Sequence, residues 1–297
     1  MKKIRNHTLA DKIFLFFVYT FVTLLTLLIL YPLWFVVIAS ISDPSLVSSG
    51  QVLLVPKGIT FEGFKYILDD KRIWLGYYNT IRYTFFGTLL ALFITLPAGY
   101  ALSRTDMAGK GIIMKFLIVT KYFSGGLIPT YLIVKALGLV DTPYVLMILG
   151  SFNVFNLILC RTFFVNTLPL ELQEAAELDG CNIFQYFWKV VLPLSKAIIA
   201  IMVLYYAVGH WNSFFNALIY VNDSKLYPLQ LILRDILIQG QSVDITVTDP
   251  EQIEMMRQIA MTIKYGVIIV SSLPVLVMYP FVQKHFVKGV MIGSVKG

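Results

Sequence analysis

Six long apolar runs constrain what this chain can fold into more than any other feature. Each is at least as long as the roughly 20 residues that a helix needs to cross the hydrocarbon of a bilayer. Of the 297 residues, 58% are hydrophobic and 14% are charged, against about 25% charged in soluble chains. Backbone polar groups in lipid must be satisfied within the chain, which favours helices. The predicted fold class is therefore an all-α membrane protein with six transmembrane helices, at residues 13–42, 79–103, 112–137, 143–165, 190–221 and 262–283.

The distribution of basic residues orients these spans. Lys and Arg cluster in the tail 1–12, the turn 104–111 and the tail 284–297, and the positive-inside rule places such segments on the cytoplasmic side. Six spans put all three on one side, so both termini are expected to be cytoplasmic. Residues 43–76 then form an extracytoplasmic segment, and 222–261 form an outward loop. The basic N-terminal tail resembles the start of a signal peptide, but the apolar run 13–42 that follows is too long for one. An uncleaved first transmembrane helix is therefore predicted.

All 17 acidic residues lie outside the six predicted spans. Ion-coupled transporters and intramembrane aspartyl proteases need carboxylates within the membrane, so the sequence argues against both classes. The net charge of +7 fits basic cytoplasmic loops better than a nucleic-acid site. The Cys and His residues lack the spacing of metal ligands, and the sequence has no phosphate-binding Gly-rich motif. Among the basic residues near the spans, Lys121 is the one expected to face a cavity.

The segment 167–189, predicted to be cytoplasmic, has the pattern of a short amphipathic helix pair. Pro169 is typical of a helix start, apolar residues recur every three or four positions, and Gly180 permits a sharp turn. The polar face is acidic, which disfavours the alternative of a helix lying on an anionic leaflet. A protein partner is favoured instead, with the small Ala175 and Ala176 docked in its groove.

This segment resembles the coupling-loop signature of permease subunits in binding-protein-dependent ABC importers, Glu-Ala-Ala-x3-Gly-x9-Ile-x-Leu-Pro. Here it reads Glu174-Ala175-Ala176, three residues, Gly180, nine residues, then Val190-Val191-Leu192-Pro193. Val190 in place of Ile is the only departure. The resemblance implies a type I ABC importer permease fold over 77–283, with a coupling helix at 167–189 that sits in a cleft of a cytoplasmic ATPase. The residues expected to make that contact are Glu174, Ala175, Ala176, Asp179 and Gly180.

Other segments resemble the carbohydrate-uptake branch of this family, in particular the second permease of maltose-type systems. They are Asn79-Thr80-Ile81, 100–104, 124–131, 137–142 and 286–297. The resemblance implies a complex in the bacterial cell membrane. Its other members are a second homologous permease, two cytoplasmic ATP-binding subunits that hold ATP and magnesium, and an extracytoplasmic solute-binding protein. This chain itself is expected to bind no cofactor, to contact lipid but no nucleic acid, and to catalyse no reaction.

A sugar pathway is expected to combine amides, which hydrogen-bond hydroxyls, with aromatic rings, which stack on apolar sugar faces. The candidates, whose alternative role is helix packing, are Tyr122, Asn153, Asn156, Trp211, Asn212, Phe215 and Asn216. The predicted function is that of a permease subunit forming half of the pathway for an oligosaccharide or related glycan. Two alternatives stay open: a permease for another solute, such as a phosphodiester or peptide, and a membrane enzyme acting on lipid-linked glycans.

Overall fold

The computed structural model describes residues 8–239, 260, 263–277 and 280. Every regular element in these residues is helical. The predicted tail 284–297, residues 1–7 and most of the predicted outward loop after 239 lie outside the described residues. The helices are α1 Leu9–Ser40, α2 Pro44–Ser48, α3 Glu62–Asp69, α4 Lys71–Ser103, α5 Lys110–Tyr122, α6 Leu127–Ala136, α7 Pro143–Ile148, α8 Val154–Thr167, α9 Leu170–Leu178, α10 Ile183–Tyr186, α11 Leu192–Leu194, α12 Lys196–Trp211, α13 Phe215–Tyr220, α14 Leu229–Gln239 and α15 Ile263–Val277, with a π-helical turn at Phe187–Val191 and a 3-10 turn at Ser224–Leu226.

The chain divides into two compact units, one of residues 1–69 with 236–270 and one of 70–235 with 271–297. In the first unit, α1 begins with a capping box between Thr8 and Asp11. Its apolar side chains are exposed along most of its length, as expected of a helix surrounded by lipid. The chain after α1 folds back on it, since the Trp34 indole N–H donates to the Leu54 carbonyl at 2.8 Å.

Two helices in the described part, α1 and α4, are long and apolar enough to cross a membrane alone. Two bent helix pairs, α5 with α6 and Ile183–Leu194 with α12, bring the number of spans to four if each pair counts as one span. The prediction of one straight helix over 112–137 is wrong, because α5 and α6 meet at 113° across residues 123–126. Gly126 adopts φ +84 there, and two adjacent glycines are weak helix formers.

The predicted helix over 190–221 is also interrupted. The segment Ile183–Leu194 meets α12 at 82°, next to Pro193, which lacks the N–H that would continue the helix hydrogen bonds. Asn212 caps the end of α12, and α13 starts at Phe215. The predicted span 143–165 consists of the short helices α7 and α8.

In the second unit, α4 packs against α7, α8 and α12. One face of α4 is buried and made largely of small residues, namely Gly76, Thr80, Gly87, Ala91, Thr95 and Gly99. Small side chains let helix backbones approach closely. Gly87 is the tightest point, because a Cβ added there would lie 2.5 Å from the His210 ring. The same ring lies 2.6 Å from a Cβ placed at Gly150, so His210 is held between two glycines.

We expect Gly87→Ala to destabilise the protein by about 1–3 kcal/mol, because the new methyl overlaps the buried ring of His210. The measurement is thermal unfolding of the purified protein in detergent. Gly209→Ala is the matched control, since in the part of the chain that the structure describes nothing lies within 4 Å of a Cβ there. The double variant Gly87→Ala with His210→Ala should recover part of the stability that Gly87→Ala loses. Equal melting temperatures for the Gly87 and Gly209 variants would contradict this packing.

The segment 222–233 is fastened to the start of α4. The Asn79 amide donates to the carbonyls of Lys225 and Tyr227 at 2.8 and 3.1 Å, and the Leu229 N–H donates to the Thr80 hydroxyl at 2.8 Å. Leu229 itself is fully buried. Within the predicted outward loop, residues 222–225 are therefore exposed, whereas 228, 229 and 231–233 are packed into the core.

Asp141 makes a second attachment to the same segment. One carboxylate oxygen accepts from the N–H groups of Asn222 and Asp223, both at 2.8 Å. Because these N–H groups stabilise the charged form, the pKa of Asp141 lies below its ordinary value. Because the pKa is lowered in the folded state, the ionised carboxylate stabilises the folded protein above the unfolded-state pKa of about 3.9. This stabilisation is lost as the pH falls through the native pKa.

We therefore expect the amides of Asn222 and Asp223 to be protected from hydrogen exchange at pH 7 in the wild type, and to lose that protection below about pH 4. Asp141→Ala should remove the protection at every pH. Asp141→Asn keeps an acceptor oxygen and tolerates the left-handed backbone of this position, where φ is +61. It should leave weaker protection that no longer varies with pH. A pH-independent wild type would contradict the attachment.

Candidate functional site

The residues that resemble the coupling signature lie on α9 and the turn that follows it. Asp179 caps α9, and Gly180 follows with φ +77. The Cys181 N–H then donates to the Ala176 carbonyl at 2.9 Å and the Gly180 N–H to the Glu177 carbonyl at 3.0 Å, which is the pattern of a glycine-terminated helix. Among the described residues, nothing beyond the chain neighbours lies within 4 Å of a Cβ at Gly180, so the glycine is needed for its backbone conformation and not for space.

The two alanines of the signature have opposite surroundings. Ala175 is exposed together with Glu174, whereas Ala176 is 8% exposed. Ala176 belongs to a buried cluster with Tyr100, Phe164, Tyr186 and Phe187. The expectation that both alanines dock into a partner's groove therefore does not fit Ala176, which joins α9 to the rest of its own chain.

The end of α4 reaches the same cluster. The Tyr100 ring centroid lies 5.3 Å from that of Phe187 and 6.0 Å from that of Phe164. Arg104, at the end of α4, donates to the Tyr100 hydroxyl at 3.1 Å and to both carboxylate oxygens of Asp106. The Arg104 guanidinium holds the pKa of the Asp106 carboxyl below its ordinary value. Packed side chains therefore connect α9 to the end of α4.

A cavity of about 260 Å³ lies beside these contacts. Its lining includes Tyr100, Arg104, Phe164, Leu168, Gln173 and Tyr186. The sequence singled out 100–104 only as a resemblance to one branch of the family. An aromatic residue four positions before an arginine at a helix end is the signal that could have identified the contact, since residues i and i+4 share a helix face.

We expect Ala176→Leu to destabilise the protein by about 1–3 kcal/mol, because it overfills the aromatic cluster. Ala175→Leu is the matched control: it adds the same atoms one position away on the exposed side and should leave the melting temperature within about 0.5 kcal/mol of wild type. Thermal unfolding in detergent compares the two. If Ala175→Leu proved the more destabilising, the assigned orientation of α9 would be wrong.

The structure separates the predicted pathway residues into exposed and buried groups. Tyr122, Asn153, Asn212 and Phe215 are exposed, and Asn216 is half-buried. Asn156 and Trp211 are buried, and the Trp211 indole N–H donates to the Ser271 carbonyl at 3.0 Å. Trp211 therefore has the packing role that was its alternative.

Asn212 and Asn216, expected one turn apart on a single helix, lie on either side of the break between α12 and α13.

One part of the predicted pathway is brought together by α5 and α8, which are in contact. Asn153 caps α8 by accepting from the N–H groups of Phe155 and Asn156. The Lys121 ammonium lies 4.8 Å from the centre of the Phe155 ring, and Tyr122 follows it in the chain. In the described part of the chain, no group of three or more His, Cys, Asp or Glu residues could hold a metal ion.

Comparison with known proteins places these features in a family, although no family model matches the chain. The chain is 40% identical over 266 residues to Protein LplC of Bacillus subtilis (strain 168), covering 90% of this chain and 89% of that protein. It is 37% identical to the polygalacturonan/rhamnogalacturonan transport system permease protein YtcP of the same organism, over 97% of this chain and all of the relative.

A solved structure is similar as well. A chain of a bacterial ABC transporter involved in the import of the acidic polysaccharide alginate superimposes with a TM-score of 0.82 at 33% identity, covering 95% of this chain and 99% of that one. YtcP is named as a transport system permease, and the similar solved chain belongs to an ABC transporter. The chain therefore belongs to the permease subunits of carbohydrate ABC importers, and it is a non-catalytic, multi-pass protein of the bacterial cell membrane that forms part of a sugar-uptake pathway.

Proposed function

We propose that this chain is one of two homologous permease subunits in an importer driven by two cytoplasmic ATP-binding subunits and supplied by an extracytoplasmic binding protein. The proposal includes six spans with both termini in the cytoplasm, and ATP with magnesium on the ATPase subunits. The observation that carries it is the exposed side of α9, where Glu174, Ala175 and Asp179 are free to meet another protein. The basic tail 1–12 and turn 104–111 support the orientation.

Coupling follows from the two sides of α9. Glu174, Ala175, Asp179 and Gly180 contact the ATPase, and Ala176 anchors the helix to its own chain. When nucleotide binding closes the ATPases, they favour one position of α9, and the aromatic cluster around Tyr100 carries that bias into the membrane helices. Such a ligand-driven shift between inward and outward states is a change of population, set by the difference in nucleotide affinity between the two states.

We propose fragments of an acidic polysaccharide as the cargo. Two of the similar proteins carry such a substrate in their names, polygalacturonan/rhamnogalacturonan for YtcP and alginate for the solved importer. Relatives named for arabinooligosaccharides and galactooligosaccharides are similar at 24% and 25% identity. A neutral oligosaccharide is therefore the second candidate.

The coupling role is tested at Gly180 in the reconstituted complex with its ATPases and loaded binding protein. We expect Gly180→Val to lower uptake and substrate-stimulated ATP hydrolysis about tenfold, because a β-branched residue is strained at φ +77. Gly180→Asn should retain most of both activities, since Asn tolerates the left-handed region. Wild-type rates in the Val variant, or a purified complex without an ATPase, would overturn the proposal.

A further inference from the structure

Lys121 lies within the predicted span 112–137, in the second unit. It is in the last turn of α5, which begins at Lys110, and the two residues lie about 16 Å apart at about 1.5 Å per residue. The Lys110 ammonium donates to the Arg104 carbonyl at 2.7 Å, within the charged turn that marks the membrane edge. With α5 crossing the bilayer from that turn, a distance of about 16 Å would bring Lys121 about halfway through a hydrocarbon core of about 30 Å.

Nothing in the described residues neutralises this charge. Lys121 is exposed and has no ion pair or hydrogen bond among them. Every acidic residue of the sequence lies outside the predicted spans. A charged side chain facing lipid at this depth is costly, so such a residue normally faces a water-filled pathway or an anion.

The geometry argues against a lysine that only stretches towards the membrane surface. Its ammonium lies 4.8 Å from the Phe155 ring centre. Phe155 is in the first turn of α8, about 18 Å along the helix from Thr167 at its other end, at about 1.5 Å per residue. A cation over an aromatic face is held in place, and here it is held beside the first turn of α8.

The side chains around Lys121 suit a sugar. Tyr122 and Phe123 are 76% and 78% exposed, so their rings are available to stack on the apolar faces of a pyranose. The Asn153 amide oxygen caps α8, which leaves its amide nitrogen as a hydrogen-bond donor without a partner among the described residues. The break at 123–126 opens the helix pair at this level.

We propose that Lys121 binds the carboxylate of a uronic-acid unit of the passing oligosaccharide, with Tyr122 and Phe123 stacking on the sugar and Asn153 donating to a hydroxyl. The proposal rests on the cargo class given above. The competing anion is a carboxylate of the second permease. The ring stack and the amide donor favour the saccharide, since an ion pair between subunits needs neither.

Zero-length cross-linking separates these two anions. A water-soluble carbodiimide joins a lysine amine to a carboxylate in contact with it. It is added to the full complex in lipid discs, trapped during turnover with binding protein loaded with a galacturonate trisaccharide. We expect mass spectrometry to find the saccharide on the Lys121 peptide at least tenfold more often than on the Lys115 peptide. A link from Lys121 to a peptide of the second permease, or no adduct at Lys121, would overturn the proposal.

A charge series gives an independent measurement. The maximal uptake rate of the trisaccharide is expected to fall about tenfold in Lys121→Gln and to stay within about threefold of wild type in Lys121→Arg. Lys115→Gln is the matched control, since Lys115 is an exposed lysine on the same helix, and it should change uptake less than twofold. If Lys121→Gln takes up the trisaccharide at the wild-type rate, the role proposed for Lys121 is overturned and the proposed cargo is not. A wild-type complex that imports only neutral saccharides contradicts the proposed cargo, and this failure is seen before any variant is made.

Discussion

The close approach of other helices to α4 is the interaction on which the rest of the second unit depends. Its small-residue face lets the ring of His210 sit against Gly87 and the sulfur of Cys160 sit against Gly99. In lipid no hydrophobic effect drives helices together, so their association relies on van der Waals packing and hydrogen bonds, both of which need short distances. The same helix carries the contacts of Asn79 and Thr80 with the 222–229 segment and those of Tyr100 with the aromatic cluster.

The sequence predicts the all-helical membrane class and the two long apolar helices α1 and α4, because apolar run length is a direct consequence of bilayer thickness. It also predicts a short helix followed by a turn at Gly180, and the structure has α9 and a left-handed Gly180 there. What it does not predict is where the helices break. Residues 112–137 and 190–221 are apolar almost throughout, so run length alone predicts continuous helices. The bends after Tyr122 and Leu194 lie at the two adjacent glycines and next to Pro193, whose weak helix propensity the run length does not include.

The same limit applies to individual side chains of the site. Ala175 and Ala176 are identical in sequence terms, and only the tertiary structure shows that one is exposed and the other buried. Asn and Trp within a span are ambiguous between pathway and packing. The structure assigns Trp211 to packing, through its bond to Ser271, and leaves Tyr122 and Asn153 exposed. The hydrogen bonds of Asn79 and Asp141 to the 222–229 segment link residues far apart in the chain, so no local pattern reveals them.

The linker between α5 and α6 has a consequence for how the subunit survives before assembly. Within the described residues, the N–H groups of Ser124 and Gly125 donate no hydrogen bond to the backbone. An unsatisfied peptide group in hydrocarbon costs several kcal/mol, so non-helical backbone at this depth needs water or another chain beside it. A lone copy in the bilayer would expose this linker to acyl chains. We expect the cell to hold little of this subunit without its partners, with unassembled copies removed by membrane proteases.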